Sequence, residues 1–399
     1  HNSQFTVHNS HESFSYFDWG IPVVVARVDR DDFVEYFVAG AASSDCDGTA
    51  GHGRSLCHHP QSPRRRNLGD AGIVGGDAPS VLASLALLLF PLALALGRVT
   101  AGTPLLARWI FPVAAIVATC LPIWWAIELA RRETNAGGPQ RLWGTLNFAL
   151  YFSTPLIFII ETIGLVLLVV TVAVWAGSDG QIMASVQQLQ QQLLRANGGV
   201  ETIRELTQPL FKQPWVVFGL YAVIAVLVPL VEELFKPLAL WFLLGRRPSA
   251  AAGLVLGAVA GAGFALPETL FNLAGAAGNS SQWLALATGR VGTSLLHVCT
   301  AAITGMAIAS VWRSGKIQHL ALAYAVSVAL HGLWNALTIT TGLADMVMSA
   351  RDARLVSVAA TVGLVILAAA CIDILYVFNR GLRPPPAVEN PLGNYSDKG

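Results

Sequence analysis

Five ionisable side chains, Glu232, Glu233, Glu268, His297 and His331, fall inside long apolar runs of a 399-residue chain. A charge in hydrocarbon is costly unless it is paired, neutralised or faces water. In Val231-Glu232-Glu233-Leu234-Phe235-Lys236-Pro237, Glu232 and Lys236 stand four apart on one helix face, in the order that favours pairing. Glu233 projects about 100° away and is free for other work. Adjacent carboxylates disfavour joint ionisation, which is one way to arm a general base. Pro237 disturbs the helix and can free backbone carbonyls. Phe264-Ala265-Leu266-Pro267-Glu268 sets a carboxylate behind a glycine-rich stretch (Gly257, Gly261, Gly263) that allows close helix contact, with Asn272 one turn on. Arg290 and His297 lie two turns apart on roughly one face. His331 and Asn335 lie one turn apart.

At about 1.5 Å per residue, Glu233, Glu268, His297 and His331 sit roughly 17, 27, 21 and 20 Å from the ends of their runs. These heights overlap, so two carboxylates and two imidazoles can meet in one buried polar pocket. Such a pocket suits a metal held by His297, His331 and a carboxylate such as Glu268, with a position left for water. It equally suits a glutamate that activates water directly while His and Asn335 stabilise an oxyanion. Either chemistry hydrolyses an amide. A path for an ion or solute through a transporter or channel uses the same groups, and so does a non-catalytic scaffold in which they are structural glue. On the residues alone these readings stay open.

The elements that must position these groups are membrane spans. The chain is 54% hydrophobic and 12% charged, against about 25% charged in soluble domains. Runs of about 20 apolar residues read as spanning helices. They fall at about 80–97, 109–130, within 142–176, 215–244, 250–273, 283–311, 318–340 and 355–379. The pattern predicts an all-α polytopic transmembrane helical bundle of about eight spans, with an extracytoplasmic amphipathic helical loop at 177–212. The start of 142–176 is expected as an interfacial or broken helix. The expected organisation is an N-terminal region 1–79, disordered or misassigned; first spans 80–176; the loop 177–212; a four-helix core 213–340; a last loop and span 341–380; and a disordered tail 381–399, with Pro384, Pro385 and Pro386. Glu161, in the third span, is expected to snorkel or to pair with the core. Asp373, near the inner end of the last span, is expected to be solvated.

Basic residues prefer the cytoplasmic side of short loops. With eight spans and the N-terminus inside, Arg64–Arg66, Arg131/Arg132/Arg141, Arg246/Arg247, Arg313/Lys316 and Arg380/Arg383 all fall there, and both termini are cytoplasmic. Arg98 and Arg108 are the exceptions. A net charge of +1 gives no electrostatic support for binding nucleic acid. The five cysteines, Cys46, Cys57, Cys120, Cys299 and Cys371, form no disulfide framework, and the early His/Cys residues match no standard zinc spacing. The chain opens on His1. No basic region followed directly by an apolar run opens it, so no ordinary signal peptide is expected.

Four blocks in order, EELFK (Glu232 to Lys236), FALPE (Phe264 to Glu268), HVCTAAITG (His297 to Gly305) and HGLWN (His331 to Asn335), resemble the PrsW family of intramembrane proteases. That family is related to the group containing the CAAX prenyl endopeptidases and bacteriocin-immunity proteins. The resemblance covers about 212–340. Those relatives carry His where this chain has Glu268, and His297 in the intervening helix favours the PrsW side. The resemblance implies proteolysis of a membrane protein in a prokaryotic plasma membrane, with a membrane-anchored anti-sigma factor as the type of substrate. It assigns catalysis to Glu232, Glu233, Glu268, His297 and His331, supported by Lys236, Asn335 and Arg290. Its usual label is metal-dependent hydrolysis, for which zinc on His297, His331 and Glu268 is the candidate, while the related group points to the alternative of glutamate-activated water. Oligomeric state is left open.

Overall fold

The computed structural model describes residues 78–383, apart from 133, 135, 178–183, 185–186, 189–190, 192–207, 210, 244–246 and 278. The N-terminal region expected over 1–79 falls almost wholly outside these, as do most of the amphipathic stretch 177–212 and the tail beyond 383. Regular structure among the described residues is helical: α1 (Ala78–Leu87), α2 (Phe90–Ala101), α3 (Pro104–Arg131), α4 (Pro139–Phe148), α5 (Thr154–Gly177), α6 (Pro214–Leu220), α7 (Val228–Phe235), α8 (Leu238–Trp241), α9 (Ala250–Ala274), α10 (Ser280–Ser314), α11 (Ile317–Val347) and α12 (Ala350–Gly381). Among the described residues, eight stretches are long and apolar enough to cross a membrane: Val81–Ala101, Arg108–Arg131, Pro139–Thr171, Pro214–Trp241, Ala250–Ala274, Ser280–Ser314, Ile317–Val347 and Ala350–Gly381. Each expected span falls on one of them, so the chain is an integral, polytopic, all-α membrane protein.

Helix ends follow local chemistry. Pro104, Pro139 and Pro214 open α3, α4 and α6, where a missing N–H leaves no helical bond unmade. Ser249, Asn279 and Ser349 cap α9, α10 and α12, each side chain accepting from backbone N–H groups of the first turn. Gly315 ends α10 at φ 71°, a conformation that favours glycine. At the other end of the bundle Asn379 Nδ2 donates to the carbonyls of Ala130 (2.9 Å) and Arg132 (2.7 Å), tying α12 to the end of α3.

α9 and α10 form the centre, and both are buried on nearly every face where they pack together, over 252–265 of α9 and 294–310 of α10. Gly253, Gly257 and Gly261 recur every fourth residue on α9 and face the α10 backbone. A Cβ at Gly257 would stand 2.2 Å from the Ala301 carbonyl oxygen, and one at Gly261 2.2 Å from that of His297. Glycine is therefore the residue that lets the two backbones touch, the packing that substitutes for hydrophobic drive between helices in lipid. The remaining spans surround this pair and turn large apolar side chains outward, as lipid-facing helices do.

Two spans depart from regular α geometry. The third carries a π turn, Ala149–Ser153, between α4 and α5, where an interfacial or broken helix was expected. The fourth carries another, Tyr221–Leu227, between α6 and α7, and breaks again at Pro237 before α8. Such insertions re-aim the residues that follow them. Neighbours stitch the breaks. Asn335 Nδ2 donates to the Ile224 carbonyl at 2.8 Å, and Tyr324 Oη to that of Leu230 at 2.7 Å. Pro229 has no N–H for the Ala225 carbonyl, and Gly332 of α11 lies against that oxygen, where a Cβ would come within 2.4 Å.

Candidate active site

The broken fourth span delivers Glu232, Glu233 and Lys236 to the centre of the bundle. α9 contributes Phe264 and Glu268, α10 contributes Arg290 and His297, and α11 contributes His331. Glu233 and Lys236 are fully buried, and Glu232, His297 and His331 are nearly so. Among the described residues, Glu232, Glu233, His297 and His331 each offer one ligand atom to a set lying within 4.8 Å of one another.

Lys236 Nζ organises the cluster. It donates to Glu233 Oε1 and to His297 Nδ1, both at 2.8 Å, and makes an ion pair with Glu232 Oε2 at 2.8 Å. The pairing of Glu232 with Lys236 matches the expectation. Glu233 is not free of the lysine, because Lys236 reaches it across three residues as well as Glu232 across four. An ammonium carries donors only, so His297 Nδ1 must accept and its proton must sit on Nε2. That N–H points to Glu268 Oε2 at 2.9 Å. His331 has the opposite tautomer. Its Nδ1–H donates to Glu233 Oε1 at 2.8 Å, which leaves Nε2 bare. The two unprotonated nitrogens, His297 Nδ1 and His331 Nε2, each lie 3.9 Å from Glu232 Oε2.

A surrounding layer fixes this arrangement. Arg290 makes a two-pronged ion pair with Glu268 and also donates to Thr269 Oγ1 through Nε (3.2 Å) and a terminal nitrogen (3.1 Å). Arg290 and His297, two turns apart on α10, thus grip the same carboxylate. Thr269 in turn meets Ser294 at 3.2 Å. The Phe264 ring stands edge-on to His297, centroids 5.0 Å apart, and Lys236 Nζ lies 4.6 Å from its centroid. Thr269 and Phe264 were not singled out from sequence. Phe264 lies one turn before Glu268, and that spacing was the available signal; Thr269 carried none. Glu268 stands behind His297, outside the four-donor set. Asn335 serves the backbone of the π turn and not the cluster.

The donor set fits a metal. Bonds of about 2.0–2.2 Å in a tetrahedral zinc site separate the ligands by roughly 3.3–3.6 Å, a few tenths less than the 3.9 Å separations found here. Each ring's other N–H is held by a carboxylate, the second-layer arrangement typical of metal-bound histidine. Glu233 Oε2 is buried without a hydrogen-bond partner, which is costly unless a ligand answers it. The contact of Lys236 with His297 Nδ1 uses the lone pair that a metal would need, so this lysine must yield it on loading.

Residues 139–370, more than half of the chain, match the family model described as PrsW family intramembrane metalloprotease. No curated protein and no solved structure matches the chain.

Proposed function

Because the chain belongs to the PrsW family of intramembrane metalloproteases, we propose that Glu232, His297 and His331 hold its metal and that Glu233 is the general base for peptide-bond hydrolysis. The observation that carries this reading is the triangle of Glu232 Oε2 with two unprotonated imidazole nitrogens, each 3.9 Å away. A metal bound there supplies Lewis-acid polarisation of water and of the scissile carbonyl. Glu233 Oε2, the oxygen without a partner, takes the proton from the attacking water. Lys236 holds the two carboxylates at compatible charge and keeps a proton at Nζ for the departing amine. Glu268, clamped by Arg290, fixes the His297 tautomer and ring plane and is a positioning residue. Asn335 acts through the π turn that aims α7.

The substrate is a membrane protein, since the cluster lies within the spans. By resemblance to the characterised family activity, a membrane-anchored anti-sigma factor in a prokaryotic plasma membrane is the substrate type we propose. The catalytic core comprises 213–340, whose four spans carry every residue of the cluster. Eight crossings place residues 78 and 383 on one face. Arg131/Arg132, Arg313/Lys316 and Arg380/Arg383 lie at span ends on that face, which supports a cytoplasmic assignment.

The test is cleavage of a single-span reporter in proteoliposomes. Glu233→Gln and Glu232→Gln are both expected to abolish cleavage in correctly folded protein, and full activity in both would remove the assignment of base and ligand. The hold of Lys236 on His297 Nδ1 favours one second reading. In it the lysine stays in place, and a glutamate activates water without metal.

A further inference from the structure

We propose that the lipid-facing cleft between α5 and the broken fourth span is the binding site for an unwound transmembrane segment of the substrate, and that Glu161 at its floor supplies a hydrogen-bond acceptor to the unwound backbone. This rests on the protease reading above and extends it to how substrate is held.

The cleft has a volume of about 720 Å³. It is lined by Leu165 and Leu168 of α5 and by Val223 of the π turn and Val231 of α7, and Glu161 and Glu268 are part of the same lining. It is therefore continuous with the catalytic centre through the carboxylate that holds His297. The lining is mostly apolar, and α5 beyond Thr162 is largely exposed, so the cleft opens sideways to hydrocarbon and not to water. Glu161 lies ten residues before the end of its span at Thr171, about 15 Å along the helix and thus well inside the bilayer.

A carboxyl at that depth needs a reason. Glu161 Oε1 is buried and has no hydrogen-bond partner. The Glu161 carboxyl is within hydrogen-bonding reach of Glu232 and senses the charges of Lys236 and Glu268, so it adjoins the cluster without belonging to the four-donor set, and Oε1 is the oxygen left over.

Size and chemistry select the occupant. A helix 10–12 Å across rising 1.5 Å per residue fills roughly 120–170 Å³ per residue, so the cleft takes about four to six residues of one chain. A scissile carbonyl in an intact helix is screened by its own turn, and hydrolysis requires local unwinding. Unwinding in hydrocarbon strands N–H donors that must find acceptors. An acyl chain would fill the apolar lining but offers nothing to Glu161 Oε1. An unwound peptide offers both apolar side chains and donors, and the carboxyl can accept whether ionised or neutral.

The experiment places a photo-crosslinking amino acid at Leu165 in the full chain, in lipid nanodiscs, on a Glu233→Gln background so that captured peptide is not consumed. The probe is a synthetic leucine-rich span of about 21 residues with a central Gly-Ser pair that weakens its helix. The peptide is expected to label position 165 and not a control position at Val362, on α12. Glu161→Leu is expected to reduce labelling about fivefold, the factor carried by one hydrogen bond of about 1 kcal/mol. Glu161→Gln, which keeps an acceptor, should stay within about twofold of the parent and so separates recognition from a folding defect. Equal labelling of the parent and Glu161→Leu, or adducts at position 165 with lipid alone, would overturn the proposal. Peptide capture in the cleft by a chain whose wild type never cuts the peptide would instead remove the protease reading and leave the binding site.

Discussion

Gly261→Ala tests the link between helix packing and the cluster. The added Cβ would stand 2.2 Å from the His297 carbonyl oxygen, 2.8 Å from its carbon and 2.9 Å from Ala301 Cβ, where ordinary contact begins at 3.4 Å. The first of these atoms is backbone and cannot rotate away, so α10 must withdraw from α9 by about 1 Å. His297 rides on α10, while Glu268 is on α9 and Lys236 follows α7. A 1 Å withdrawal stretches the 2.9 Å and 2.8 Å bonds of His297 beyond hydrogen-bonding length. Overpacking costs about 1–3 kcal/mol, and each hydrogen bond to a charged group that is lost adds about 1.5–3 kcal/mol. Disturbing the carboxylate that orients a metal-bound histidine typically weakens metal binding about 10–100-fold. The assay is metal affinity and thermal unfolding of the purified protein in detergent, beside Gly253→Ala. That control meets the Gly305 carbonyl at 2.5 Å and Ala309 Cβ at 2.6 Å in the same interface, two turns from His297. Both variants should lose stability, and only Gly261→Ala should also lose metal. Metal affinity in Gly261→Ala equal to that of Gly253→Ala would refute the idea that this glycine sets the position of His297.

Lys236→Met leaves Glu232 and Glu233 buried without their cation, which should cost the metal-free protein about 3–5 kcal/mol. Zinc should then restore thermal stability more in the variant than in wild type, because the competing ammonium is gone. Glu268→Leu removes the acceptor for His297 Nε2–H and strands Arg290; zinc affinity measured with a competing chelator should fall about 10–100-fold, and Glu268→Gln, which keeps an acceptor oxygen, should fall less. Asn379→Leu frees the carbonyls of Ala130 and Arg132 and should destabilise the protein by about 1–3 kcal/mol in denaturant unfolding, with metal content per folded chain unchanged.

The spans were legible because hydropathy is a long-range average that survives errors at single residues. Every expected span lies on one observed stretch, although ends moved; the first runs on to Ala101 and the seventh to Val347. The pocket was legible because each of four spans carries ionisable groups that hydrocarbon does not tolerate alone. Helical spacing correctly paired Glu232 with Lys236. It could not show that Lys236 also reaches Glu233 and His297, since the second contact spans 61 residues of sequence. Nor could spacing place Glu268 behind His297 instead of beside it. That depends on how closely α9 and α10 approach, which the glycines permit. The π turn at Tyr221–Leu227 had no sequence signature, yet it decides that Asn335 meets the Ile224 carbonyl and not the pocket. The cleft beside Glu161 lies between α5 and the fourth span, a tertiary feature that span-by-span reading does not contain.

The most direct test of the central claim is elemental analysis of detergent-purified protein prepared without chelator, wild type against a His297→Ala/His331→Ala double variant verified as folded. About one zinc per wild-type chain and none in the variant is the expected result. A wild-type chain without metal, or a double variant that retains it, would contradict the assignment of this cluster as the metal centre.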